Sequence, residues 1–307
     1  MAFQATLETM VIFFLLLATG VLMGKLGVIK KEGMGQFSLL ITKLFLPIMI
    51  FYTVATSVTL NLISENAVLF PLSAGIYITL AVVAFLVAKI MRIEKDKDRV
   101  FQFAFIFGNT GFVGFPLFST VFNEIGTLFM CLFSVVDQLL FWTYGIWLST
   151  ARGKVNARFN IKMLVSPNIV AIVLGVVVGL SGLTLPGVID SALSIISRAA
   201  TPMCMLFLGA MICFNKVGQI IKRLESYILI AIKMLVLPVG TGFLCTYLGL
   251  SAEIAGCAAL YVALPVMTVV PMISEQNGSE GAYATGIAIM TFVACVVTIP
   301  VVAFLVL

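Results

Sequence analysis

Apolar residues run along this chain in ten stretches divided by short polar connections, at about 8–27, 36–58, 66–90, 100–122, 125–149, 162–181, 190–213, 225–248, 253–273 and 282–306. Most are about 20 residues or longer, which is what a helix rising about 1.5 Å per residue needs to cross about 30 Å of hydrocarbon. The pattern therefore predicts an all-α membrane protein of ten transmembrane helices, with no connection long enough to hold a soluble domain. Two of the stretches are interrupted. In the fourth, Gly108-Asn109-Thr110-Gly111-Phe112-Val113-Gly114-Phe115-Pro116 sets three glycines and a proline at membrane depth. Glycine loosens the backbone, and Pro116 cannot donate to the carbonyl of Phe112. Backbone groups bared at such a break survive only inside protein or along a wet cavity, so this stretch reads as a broken helix lining a site. The short ninth stretch carries its own break, Leu264-Pro265-Val266 followed by Pro271.

The two breaks are related. An offset of 155 residues carries Pro116 onto Pro271, Gly20, Gly24 and Gly27 onto Gly175, Gly179 and Gly182, Pro47 onto Pro202, and Lys43 onto Arg198. The chain thus reads as an internal duplication, residues 1–155 and 156–307, with five spans in each half. An odd number of spans makes the halves cross the membrane in opposite senses. That is the inverted repeat of many secondary transporters, whose site lies near the midplane between discontinuous helices.

Composition agrees with a membrane protein. Of the 307 residues 62% are hydrophobic and only 10% charged, and mean hydropathy is +1.19, whereas a soluble chain carries about 25% charged residues. The net charge of +5 is a matter of topology, and no nucleic-acid partner is expected. Fifteen of the eighteen basic residues fall in alternate connections: Lys25, Lys30 and Lys31; Lys89, Arg92, Lys95, Lys97 and Arg99; Arg152, Lys154, Arg158 and Lys162; Lys216, Lys222 and Arg223. The positive-inside rule then places both termini outside the cell (inner) membrane. The run from about residue 8 has no basic flank or cleavage site before it and reads as a first span. Six cysteines without a CxxC spacing read as packing residues. The absence of histidine removes histidine relays, ligands and triads, and with one mid-membrane acid there is no aspartyl-protease pair. A membrane enzyme is therefore not expected, nor any cofactor.

Four charged residues remain within the spans, where each costs about 2.5–3.5 kcal/mol on insertion scales. Asp137, followed by Gln138, lies near the middle of span five. It is either an ion-coupling carboxyl, for H⁺ first and Na⁺ second, or a structural acid bracing the broken helix. Lys43 and Arg198, repeat-related and each roughly 10–12 Å deep, read as gate charges facing opposite sides, although Lys43 could also snorkel to the cytoplasm. Lys233 has no repeat partner and is expected to snorkel. Asn109 and Thr110 could contact an anion directly or cap freed backbone groups. A half-helix starting at the break favours an anion at its N-terminal end. Pro265, flanked by apolar residues, offers backbone dipoles instead.

GNTGFVGFP in span four, Ser166-Pro167-Asn168-Ile169 opening span six and Thr201-Pro202 in span seven resemble the auxin efflux carrier family of membrane transporters, and the likeness extends over all ten spans. The resemblance implies a crossover fold like that of NhaA-type antiporters and bile-acid symporters. Spans one, two, six and seven would form a scaffold and a homodimer contact, and spans three to five and eight to ten a transport domain moving elevator-fashion. It implies organic-anion substrates, auxin in plants and malate or malonate in bacterial members. Asn109 matches the substrate-contacting asparagine at the crossover, and Pro116 and Pro271 lie at or beside the crossing. Leu264-Pro265-Val266 departs from relatives that have a polar side chain there. The short loop near 150–161 suits a prokaryotic member. The expected substrate site is therefore Asn109, Thr110, Gly111, Pro116, Leu264, Pro265, Val266, Pro271, Lys43 and Arg198, for a small carboxylate. A cation/proton antiporter working through Asp137 is the alternative.

Overall fold

The structure, a computed structural model, describes residues 2–94, 97–151, 167–183, 185–214 and 223–307. Helices, in chain order, are α1 (Ala2–Lys25), α2 (Met34–Leu40), α3 (Leu46–Ser57), α4 (Leu60–Glu65), α5 (Leu69–Ile90), α6 (Lys97–Ile106), α7 (Phe115–Val121), α8 (Asn123–Leu140), α9 (Ile146–Ser149), α10 (Pro167–Ser181), α11 (Gly187–Phe214), α12 (Leu224–Ala231), α13 (Leu237–Tyr247), α14 (Ala252–Val262), α15 (Val269–Gln276) and α16 (Gly281–Val306). Among the described residues seven stretches are long and apolar enough to cross a membrane, at 7–25, 31–57, 69–90, 123–149, 187–214, 224–247 and 281–306. Three further apolar helices are shorter, Thr110–Val121, Pro167–Ser181 and Ala252–Val262, and two of these flank the Gly/Pro breaks. Residues 152–161 of the loop near 150–161, Ser166, Lys95 and the other basic residues at 152–162 and 216–222 lie outside the described residues, as does the repeat boundary at 155.

Single turns of π-helix join several of these helices: Ile41–Phe45 between α2 and α3, Thr110–Gly114 before α7, Phe141–Gly145 between α8 and α9, and Ile232–Val236 between α12 and α13. Three of the four run directly into a helix with proline in its first turn, Pro47, Pro116 and Pro238. Proline lacks an N–H and its ring crowds the carbonyl four residues back, so the preceding turn widens and the helix continues.

The chain divides into two interleaved compact units. Unit 1 comprises Met1–Ala67, Gly111–Cys131 and Val165–Lys216, and unit 2 comprises Val68–Thr110, Leu132–Leu164 and Val217–Leu307. In unit 1, α1 lies along α11, and α3 along α10. Both contacts are glycine contacts. A Cβ added to Gly20 would collide with the backbone of Leu206, and one on Gly209 with the backbone of Leu17 and Val21. One added to Gly175 would stand 3.0 Å from the carbonyl oxygen of Phe51, and one on Gly179 2.6 Å from that of Val58. The 155-residue offset turns Gly20 against Leu206 into Gly175 against Phe51, and Gly24 against Cys213 into Gly179 against Val58. Glycines spaced four apart let helix backbones approach closely where lipid supplies no hydrophobic drive. Glycines related by the offset therefore do the same work in both helix pairs of unit 1.

Unit 2 surrounds two short helices with protein. Every residue of α6 from Val100 to Ile106 is buried, as is every residue of α14 from Ile254 to Val262. Phe103, Phe107 and Phe141 pack ring against ring at 5.3–5.4 Å between centroids, and Gly145 leaves space for Phe103, whose ring a Cβ would approach to 2.8 Å. At the other end of α6, Arg99 donates to the carbonyl of Thr150 and stacks over Trp147, 4.4 Å from its centroid. The amide of Asn277 donates to Ser149 Oγ at 2.6 Å. All six cysteines are free, and five are buried.

Candidate functional site at a backbone crossing

Helix α6 ends at Ile106 and α14 at Val262, and the two extended stretches that follow meet in unit 2. Gly108 and Val266 form an antiparallel bridge. The Asn109 amide donates to the carbonyl of Pro265 at 2.7 Å, and the Met267 amide to that of Phe107 at 3.1 Å. The offset of 155 carries Asn109 onto Leu264 and Thr110 onto Pro265, so the chains pair within one residue of the point where equivalent positions of the two halves would face each other. Gly108 permits the approach, since a Cβ there would stand 3.1 Å from Leu264 Cβ.

The backbone groups bared by the two breaks are taken up one by one, as a buried, water-poor site requires. Thr110 N donates to Gly108 O at 2.9 Å, and Val266 N to Thr291 Oγ1 at 3.1 Å. The carbonyls of Val262 and Leu264 accept from Lys233 Nζ, at 3.2 and 2.5 Å. Lys233 is only 1% exposed, so the expectation that it snorkels is wrong. The π-turn before Pro238 sets it nine residues into its helix from Leu224, about 13 Å from that end, and the carbonyls at the C-terminal end of α14 offer a closer negative pole than water does. Among the described residues no carboxylate lies within ion-pair distance of it.

A second cluster adjoins the crossing. Asp137 on α8 is fully buried. Its Oδ1 accepts from the hydroxyl of Tyr77 on α5 at 2.5 Å, and the Tyr77 oxygen lies 2.5 Å from the hydroxyl of Tyr261 on α14. Tyr77 has one proton and gives it to Asp137, so Tyr261 must be the donor to Tyr77. The hydroxyl of Thr110, the first residue past Asn109, faces this carboxyl, whose Oδ2 has no hydrogen-bond partner.

Asn109, Thr110, Leu264, Pro265 and Val266 are thus brought together, all buried. Pro271 lies in the first turn of α15, beyond the crossing in the same unit. Gly111 and Pro116 belong to unit 1, where Pro116 opens α7. Lys43, in a π-turn, and Arg198, on α11, are exposed residues of unit 1, and Arg198 Nε reaches only Ser194 O of its own helix, at 3.4 Å. Gln138 turns away from Asp137 and accepts from Trp142 Nε1 at 3.1 Å. Lys233, Tyr77, Tyr261 and Thr291 were not foreseen from the sequence. The depth of Lys233 was a usable signal, whereas the tyrosines count as apolar in any hydropathy pattern.

A helical membrane protein whose interrupted backbones meet around buried charges belongs to the class of membrane transport proteins. The profile of the membrane transport protein family, that of the auxin efflux carriers, matches residues 5–303, and the chain belongs to that family. It is 23% identical over 304 residues to an uncharacterized transporter of Methanothermobacter thermautotrophicus, covering 98% of each chain. It is 25% identical over 211 residues to the uncharacterized transporter MJ1031 of Methanocaldococcus jannaschii, covering 66% of this chain and 68% of that one.

Proposed function

We propose that this protein is a secondary transporter of small organic anions, mono- or dicarboxylates such as malate or malonate or auxin-like acids, working by elevator-type alternating access. The observation that carries the reading is the ammonium of Lys233, buried on the crossing carbonyls with no carboxylate partner among the described residues. Protonated, it is a positive charge on the crossing carbonyls in a site of low dielectric, and such a charge attracts an anion and disfavours a free cation. In this reading Asn109 and Thr110 hold the carboxylate and unit 2 is the moving body. Gly111–Cys131, part of spans four and five, clusters with unit 1. The remaining helices of unit 1 are the scaffold and homodimer surface, in the cell membrane with both termini outside. A cation/proton antiporter of the same fold is the second reading, favoured by the burial of Asp137.

Proteoliposomes loaded with radiolabelled malate, malonate or an indole acid test the substrate class by exchange. Exchange of at least one carboxylate, with none of Na⁺ or K⁺, is expected, and cation-for-proton exchange alone would establish the antiporter. Asn109→Ala should lower carboxylate affinity ten- to a hundred-fold, since a hydrogen bond to a charged group contributes about 1.5–3 kcal/mol. An unchanged affinity in detergent would return Asn109 to a capping role. For topology, cysteines placed at Ser64 and Glu94, both exposed at opposite ends of α5, should be labelled by an impermeant thiol reagent from outside and inside respectively. Labelling of both from one side would refute the orientation.

A further inference from the structure

We infer that Asp137, clamped by Tyr77 and Tyr261 and linked to the crossing by Thr110, is a proton site that makes this carrier an H⁺–anion symporter indifferent to Na⁺. The inference rests on the carboxylate-transport reading and adds the coupling ion and its stoichiometric sense.

The sense follows from charge. Unit 2 buries one basic group, Lys233, and one acid, Asp137, among its described residues. With Lys233 charged and Asp137 ionised the two cancel, and the crossing offers an anion no net attraction. With Asp137 protonated the crossing carries one net positive charge, so proton and anion favour each other's binding and travel together. Thr110 supplies the local link. An ionised Asp137 attracts the Thr110 hydroxyl that faces it. Once protonated it attracts it less, and the hydroxyl can turn to an anion on neighbouring Asn109.

The arrangement suits a proton better than a metal cation. The donors on Oδ1 come in series, Tyr261 to Tyr77 to Asp137, so a proton can settle on Oδ2 without reversing that chain. A hard cation needs several oxygen ligands at once. Here the carbonyls of Val262 and Leu264 are held by Lys233, that of Pro265 by Asn109 N, that of Phe107 by Met267 N and that of Gly108 by Thr110 N. Among the described residues no group of three His, Cys, Asp or Glu side chains is placed to hold a metal ion. The titratable groups acting on Asp137 are Tyr77 from α5 and Tyr261 from α14, and from its own helix the nearest polar side chain buried with it is Ser134.

The test is uptake of radiolabelled malonate by proteoliposomes with voltage clamped at zero by potassium and valinomycin. A pH step of about one unit should sustain roughly tenfold accumulation, as one proton's gradient allows, and a Na⁺ gradient should sustain none. Asp137→Asn should lose accumulation while its residual exchange becomes independent of pH. Tyr77→Phe removes a donor to the carboxylate but keeps the ring, so the pH profile should move roughly one unit toward higher pH. Infrared difference spectra should show a protonated-carboxyl band that titrates in the wild type, shifts in Tyr77→Phe and is missing in Asp137→Asn. Accumulation driven by Na⁺, or pH-driven accumulation surviving in Asp137→Asn, would overturn the inference. Exchange with no response to either gradient would overturn the inference and leave the carboxylate reading standing. No exchange at all in folded wild-type protein would sink both.

Discussion

Lys233→Met should leave the protein folded and remove at least about 99% of its affinity for a carboxylate. The two effects separate because their free energies are of different kinds. Two hydrogen bonds from an ammonium to Val262 O and Leu264 O contribute about 1.5–3 kcal/mol each. Against them stands about 2.5–3.5 kcal/mol for keeping a charged side chain inside a membrane helix, which methionine avoids while filling similar volume. The net loss of stability is then at most about 3.5 kcal/mol, roughly 10 °C in melting temperature. For an anion within about 6 Å of Nζ, a unit charge at an effective dielectric of about 20 contributes roughly 2.8 kcal/mol, or a hundredfold. Melting followed by size-exclusion reads the first effect, and equilibrium binding of labelled malonate in detergent reads the second. Aggregation of Lys233→Met would show that Lys233 chiefly holds the crossing together. Unchanged binding would remove it from the site.

Gly209→Ala should destabilise the protein more than a methyl group added at Gly175, Gly75 or Gly240. Its Cβ would enter the backbone of α1 at Leu17 and Val21, beside Gly20, where no side chain can rotate aside, and α1 and α11 must separate along the contact. Overpacking of this kind costs about 1–3 kcal/mol, occasionally more, so a fall of roughly 3–10 °C is expected. Gly175→Ala, which meets Val54 Cβ at 2.8 Å and Phe51 O at 3.0 Å, should behave alike and somewhat more mildly. Gly75→Ala and Gly240→Ala, in helices with nothing within 4 Å of the added atom, should raise stability by about 0.5–1 kcal/mol, the helix preference for alanine over glycine. Equal effects at all four positions would mean that the close contacts of unit 1 do not hold its helices.

Helix ends and widened turns lie beside the glycines and prolines of the sequence, because these residues act on the backbone next to them. Gly108 at the first break and Pro265 at the second stand where α6 and α14 have ended, and Pro47, Pro116 and Pro238 each follow a widened turn. The offset that relates Gly20 to Gly175 was in the sequence, but that both press against a neighbouring helix is seen only in the packing of α1 on α11 and of α3 on α10. Asn109 and Asp137 stood out because a polar residue deep in an apolar stretch must find something to bind. What each binds was decided by tertiary structure alone. Asp137 and Tyr77 are 60 residues apart and Tyr77 and Tyr261 are 184 apart, and no periodicity joins positions on three separate helices. Lys233 misled for a related reason. Its depth along one helix says how far water lies, but only the end of α14, folded beside it, made two carbonyls nearer than the membrane surface. The pairing of Asn109 with Pro265 is likewise a matter of register between two chains, which local propensity leaves open and the packing around α6 and α14 decides.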